Sequence, residues 1–259
     1  MEYPRNRQGE DLGIISLCLQ CSPLDMDAAV ELIQLICWIE HPRREETEFF
    51  LVYRKDCPLY LHKEFEKLAS KHFGRCAARM ARNHDVGWPA GCNMLAGSAF
   101  IEMSILRREG ICQNEAFLLF EPDCIPLGRD WINQLSAEWD RVSALGKEAF
   151  GHWHDLGYPG GLHMNGNAVF RTTFFDEHPT SIIGAGTMGW DFFFRDQFLA
   201  MSMDSNTIFQ QWNRYGITYE QLVEIQKGGV RPALLHGIKT ADGRYNAKRL
   251  ISERFCVSA

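Results

Sequence analysis

The chain contains no apolar stretch approaching the ~20 residues that a membrane-spanning helix requires. Positive charge is not in excess either. With a net charge of −6, a globally basic coat for nucleic acid is excluded, although a local basic patch is not. There is no Gly-x-Ser-x-Gly nucleophile elbow and no Walker phosphate loop. Cys18-x-x-Cys21 has no second Cys or His pair at zinc-finger spacing, so a structural zinc site is not expected. Residues 1–11 are polar and lack the charged-then-apolar form of an export signal, so a reducing, cytoplasmic setting is expected. The nine cysteines are odd in number and most stand singly in apolar segments, which reads as free buried thiols. No internal repeat and no low-complexity linker interrupts the 259 residues.

What is present is an ordinary folding composition, 46% hydrophobic and 23% charged, patterned as alternating strands and helices. Apolar runs at Gly13–Leu19, Thr47–Tyr53 and Glu115–Phe120 read as buried strands. Between them, helical spacing predicts helices over Met26–Glu40 (with Asp25 as its cap), Leu59–Phe73 and Gly91–Arg108, and a further helix over Arg129–Ala144. Residues 75–83 fit a helical face or a strand equally. The later part mixes short segments: strands at Phe150–His154 and Asn167–Phe170, a Gly-rich turn at 157–161, and a helix near 191–199. The expected fold class is α/β, a mostly parallel central sheet flanked by helices with a mixed C-terminal half.

The most informative segment is Phe117-Leu118-Leu119-Phe120-Glu121-Pro122-Asp123, an apolar run ending in two carboxylates spaced i, i+2. In open α/β sheets that end of a strand is where ligands bind, and a hard divalent cation favours carboxylate oxygens there. A plain turn cap would also account for the pair. Glu121-Pro122-Asp123 resembles the acidic motif of GT-A glycosyltransferases, which transfer a sugar from a nucleotide-sugar, although Glu replaces the usual first Asp. The resemblance spans nearly the whole chain. It implies a single Rossmann-like GT-A domain over 1–259, with a nucleotide-sugar half at 12–128 and an acceptor half at 129–259.

The site residues follow from that resemblance. Asp123 is implied as a ligand of Mn²⁺ or Mg²⁺, with Glu121 holding ribose or a metal-bound water. His236, in His236-Gly237-Ile238-Lys239, is the second metal ligand, and Lys239 faces the diphosphate. Asp191, after Gly189-Trp190, is the base that takes the acceptor proton if the reaction inverts; a helix cap explains it equally. Asn165 and Gly166 resemble the turn that lines the donor sugar, with Gly166 letting backbone approach it. Asn93 is placed to reach the nucleotide, Gln20–Ser22 to grip the base, and Asp56 to contact base or ribose. Trp88 reads as core. His152 and His154 share one face of a strand and read as site wall or surface.

The donor implied is a nucleotide-sugar, a UDP-sugar first. For the hydroxyl acceptor, small molecule, lipid-linked glycan, protein and DNA all remain open. The motifs are similar to small phage-type glycosyltransferases, some of which modify hydroxymethylated pyrimidines. Two basic runs, Lys71/Arg75/Arg79/Arg82 and Lys239/Arg244/Lys248/Arg249/Arg254, could meet phosphates of double-stranded DNA. Two rivals remain. A nucleotidyltransferase would need a Gly-rich basic loop where Gln20-Cys21-Ser22-Pro23 stands. A non-catalytic nucleotide-sugar or glycan binder would keep the fold without turnover.

Overall fold

The structure is a computed structural model, and it describes residues 15–40, 44–82, 87–155, 161–179, 188–211, 216–228 and 232–257. Its elements in order are β1 (Ile15–Cys21), α1 (Met26–Ile39), β2 (Arg44–Tyr53), α2 (Leu59–Ala69), β3 (Phe73–Met80), α3 (Ala90–Arg108), β4 (Ala116–Phe120), β5 (Ile125–Pro126) and α4 (Trp131–Ala144). Then follow β6 (Ala149–Asp155), β7 (Leu162–Arg171), α5 (Phe174–Glu177), α6 (Trp190–Phe193), α7 (Arg195–Met201), β8 (Ser202–Asp204), β9 (Ile208–Gln210), α8 (Tyr219–Lys227), β10 (Leu234–His236) and α9 (Ala241–Val257).

Seven strands form the main sheet in the order β3-β2-β1-β4-β7-β6-β8. β3, β2, β1 and β4 run parallel; β7 is antiparallel to both β4 and β6. A second sheet, β5-β10-β9, pairs the segment after β4 with the late strands. β1 and β4 are buried along their whole length, as helices on both faces require. Alternate residues serve opposite faces. Leu17, Leu19, Leu118 and Phe120 pack with side chains of α1, α2, α4 and α9, whereas Cys18, Phe117 and Leu119 pack with those of α3, α5, α6 and α7.

Several boundaries differ from the sequence reading, each for a local reason. Residues 75–80 are strand. α2 stops at Ala69 although the four-residue spacing Leu61, Phe65, Ala69, Phe73 continues, because Phe73 enters the same core from β3 and meets Phe49 edge-on at 5.2 Å. Gly74 sits there because a Cβ would lie 1.7 Å from the Glu45 carbonyl oxygen. Asp25 does not cap α1 with its side chain; its carboxylate accepts from the Ser22 hydroxyl at 2.6 Å. Trp88 is 72% exposed and is not core. Of the Gly-rich turn expected at 157–161, residues 157–160 lie outside the described residues.

The largest correction concerns β7. Asn165-Gly166 is not a turn but part of a ten-residue strand. β6 pairs Gly151 with Ala168 and Trp153 with Met164, so β7 advances four residues while β6 advances two. Asn165, Gly166 and Asn167 occupy the resulting bulge. Bulges bend a strand and re-aim its side chains, and this one aims toward the carboxyl end of β4.

Candidate active site

The chain order reverses between β1 and β4, the two central parallel strands, and the crevice beyond their carboxyl ends is where such sheets bind ligands. Glu121 and Asp123 leave β4 at that point. The β5-β10 pairing folds the chain back so that the Ile238 amide donates to the Asp123 carbonyl at 2.9 Å. Gly237 makes the turn possible: its φ is +97°, and a Cβ would meet the Gln211 carbonyl oxygen at 2.2 Å. His236 thereby arrives beside the two carboxylates.

Glu121, Asp123 and His236 each offer a ligand atom, all within 4.8 Å of one another. His236 Nε2 lies 3.2 Å from Asp123 Oδ1 and 3.5 Å from Glu121 Oε2, and Lys239 Nζ lies 3.8 Å from Asp123 Oδ2. Burial opposes charge on His236, but Asp123 and then Glu121 outweigh it and raise the imidazole to about 9. Burial also opposes the Asp123 carboxylate; attraction to the His236 ring and then to Lys239 wins and holds it below the usual range. Asp123 Oδ1 meets His236 Nε2 only as an ion-pair contact at 3.2 Å, and the other ring nitrogen, His236 Nδ1, is buried too; neither Oδ1 nor Nδ1 has a hydrogen-bond partner among the described residues. Buried polar atoms seldom stay unsatisfied. Two carboxylates and one imidazole suit Mn²⁺ or Mg²⁺, so the donor set fits such an ion.

Asn167, which the sequence reading left without a role, is the hub of this cluster. Its Oδ1 accepts from the Glu121 amide at 2.7 Å and faces the Cys124 thiol at 3.3 Å. Its Nδ2 lies 3.0 Å from Asn165 Oδ1, 3.1 Å from His236 Nε2 and 3.4 Å from Glu121 Oε2. Asn165 is buried and turned toward Asn167, also accepting from its amide at 2.9 Å.

Asp191 stands in the first turn of α6, where it accepts from the Phe192 amide at 3.1 Å. Burial raises its carboxyl to about 6; the Phe192 and Gly166 amides work the other way, and the Glu121 charge adds to the rise. Gly166 is required by packing: a Cβ would lie 2.8 Å from Cζ2 of the Trp190 indole. That differs from the expected reason, room for a ligand. Asn93 also has a different partner from the expected nucleotide. Its Nδ2 donates to the Met188 carbonyl at 2.8 Å and its Oδ1 accepts from the Trp190 amide at 2.9 Å, tying the first turn of α3 to α6.

Gln20 is buried at the end of β1 with Nε2 3.4 Å from Glu121 Oε1 and its own Oε1 without a partner among the described residues. Asp56 is gripped by Arg54 at 2.6 and 2.8 Å, and that bond holds its carboxyl below the usual range. Six members of the two basic runs form ion pairs with glutamates within the protein. Arg75 pairs with Glu48, Arg79 with Glu102 and Glu109, Arg82 with Glu102, Arg244 and Lys248 with Glu31, and Arg249 with Glu253. Eight of the nine cysteines, Cys18 through Cys124 in the sequence, are free thiols. No helix among the described residues is long and apolar enough to cross a membrane.

No protein-family model matches the chain, and no curated protein matches its sequence. Solved structures do match its fold. An active-site mutant of LgtC aligns with a TM-score of 0.58 at 10% identity, over 94% of this chain and 96% of that one. The galactosyltransferase LgtC in complex with donor and acceptor sugar analogues aligns with a TM-score of 0.54 at 9% identity, over 91% and 94%. The bifunctional glycosyltransferase WbbM aligns with a TM-score of 0.51 at 10% identity; 86% of this chain covers 45% of that one. The fold is α/β of the GT-A type, with a mixed, mostly parallel central sheet flanked by helices.

Proposed function

We propose that this protein is a metal-dependent glycosyltransferase that moves a sugar from a nucleotide-sugar, a UDP-sugar first, to a hydroxyl acceptor. The observation that carries the reading is the Glu121–Asp123–His236 cluster at the reversal between β1 and β4 in a GT-A fold. Asp123 and His236, with Glu121 beside them, would hold Mn²⁺ or Mg²⁺, which supplies positive charge for the donor diphosphate. Lys239 adds charge on the leaving nucleotide. Gln20 and Asp56 flank the base and ribose. Asn165 and Asn167 orient the sugar side of the cluster, and Asn93 holds the α6 turn that presents Asp191. Asp191 takes the acceptor proton if the reaction inverts. With a pKa of about 6 it is a carboxylate at neutral pH, yet a stronger base than a solvated one.

A DNA acceptor draws no support from the basic runs, since Arg75, Arg79, Arg82, Arg244, Lys248 and Arg249 pair with Glu48, Glu102, Glu109, Glu31 and Glu253. The test is a thermal-shift screen against UDP-, GDP-, dTDP- and CMP-sugars with and without Mn²⁺. A ligand present at about 100 times its Kd stabilises the native state by roughly 2.7 kcal/mol. A Mn²⁺-dependent shift with one nucleotide-sugar supports the proposal and names the donor. No shift with any donor, from cooperatively folding protein, refutes it.

A further inference from the structure

One group of rings beside the site has no part in the chemistry above. His152 and His154 project from the same face of β6, their ring centroids 6.0 Å apart, while Trp153 between them turns away and donates to the Ser202 hydroxyl. His154 is the cross-strand partner of His163 on β7, and those rings meet edge-on at 6.2 Å. His163 in turn stacks on Phe192 at 4.0 Å, the residue after Asp191. At the other end His152 lies against Phe209 at 5.0 Å and is close enough to His236 to feel its charge. The rings thus form a row from the metal-ligand cluster towards the proposed base, with His152 and His154 half-buried and His163 buried behind them against Phe192.

The chemistry of the wall limits what it can bind. Burial lowers the pKa of all three imidazoles, so the wall is uncharged at neutral pH. Uncharged rings do not hold phosphates, which need cations. A hydrocarbon would leave the ring nitrogens unsatisfied, which costs free energy. The His152 and His154 side chains are both only partly buried, so the rings have an exposed side. A ligand with one flat C–H face and hydroxyls at its edge satisfies rings and nitrogens together. The three imidazoles offer no cation site either, because their ligand atoms do not cluster as those of Glu121, Asp123 and His236 do.

We infer that the His152–His154–His163 wall is the acceptor subsite and that the acceptor is a carbohydrate, a pyranoside hydroxyl presented to Asp191. The inference rests on the proposed function for the identity of Asp191 and the donor side. Its test is ring NMR of the full-length protein labelled with ¹³C-histidine, each resonance assigned by a single His→Gln variant. Methyl glucoside, methyl galactoside and lactose are titrated with Mg²⁺–UDP present and absent, and a short DNA duplex is the control. A sugar should move the His152, His154 and His163 resonances and leave His62 and His178 in place. The double variant His152→Ala/His154→Ala should lose the sugar-induced shift at His163 while keeping the Mg²⁺–UDP shift at His236. If no sugar moves the wall in either condition, or if duplex DNA moves it instead, the inference is overturned. The donor reading fails separately: Mg²⁺–UDP would then leave His236 unmoved, whatever the sugars do.

Discussion

Replacing Asp191 by asparagine should make the protein more stable and inactive. The carboxyl is raised from 3.8 to about 6, mainly by burial. A raised carboxylate pKa means that the folded state holds its proton more tightly than the unfolded state, so ionisation above pH 6 disfavours the fold. The penalty is absent below the unfolded pKa, grows as pH rises through the interval between the two values, and is complete above the folded one. The interval from 3.8 to about 6, at about 1.36 kcal/mol per pH unit, corresponds to roughly 3 kcal/mol at about pH 7.5. At about pH 5 roughly half remains, and at about pH 4 only about 0.5 kcal/mol. Asparagine keeps the size and an oxygen for the Phe192 amide, which bonds Asp191 Oδ1 at 3.1 Å, but carries no charge. Urea denaturation of both proteins at about pH 7.5, 5 and 4 measures the gap directly. The Asp191→Asn variant is expected to lead at about pH 7.5 by about 1–3 kcal/mol and to converge with wild type at about pH 4. Equal or lower stability of the variant near neutral pH, or a gap that ignores pH, would refute the claim that this carboxylate is held charged against its surroundings. For the wild type, turnover limited by this base should rise with pH up to about 6 and then level off.

Asp123→Asn should abolish Mn²⁺-dependent turnover while leaving a cooperative unfolding transition; an active variant would remove the metal role. Asn167→Ala, which unties Glu121, Asn165 and His236 together, should weaken Mn²⁺ binding by about 10–100-fold, read by electron paramagnetic resonance of the free ion. Gly166→Ala should destabilise by about 1–3 kcal/mol because its Cβ meets the Trp190 indole at 2.8 Å, and Trp190→Phe should restore part of the loss. Glu138→Ala should lower stability by several kcal/mol in chemical denaturation. That buried carboxylate accepts from the Ser205 and Thr207 hydroxyls and from the amides of Asn206 and Thr207, and charge-assisted bonds are worth roughly 1.5–3 kcal/mol each.

Where a residue's surroundings are local, the sequence was readable. The run Ala116–Phe120 is apolar on both faces because helices cover both, and its abrupt end marked Glu121 and Asp123 as strand-terminal. Contacts across long separations were less so. Asn167 reaches Glu121 and His236 only because a bulge displaces it, and nothing in Asn165-Gly166-Asn167 distinguishes a bulge from a turn. The partners of the Asn93 amide, Met188 and Trp190, lie 95 and 97 residues away and are not legible beside it in the sequence. The same holds for the basic runs. Each arginine was visible in sequence, but the pairing of Arg82 with Glu102 or of Arg244 with Glu31 is set by the packed fold.

The bulge in β7 has one more effect. Gly166 is not paired across the sheet; its amide is near enough to the Asp191 carboxylate to favour the ionised form, and its α-carbon lies under the Trp190 ring. A single backbone N–H, in the part of an amide spectrum where glycines stand apart, therefore senses whether the neighbouring carboxyl is ionised. Following that one signal from about pH 4 to about pH 8, a range that brackets the Asp191 pKa of about 6, reads the proton on Asp191 without substrate, mutation or turnover. A donor or acceptor that closes over the crevice would register as a displaced midpoint.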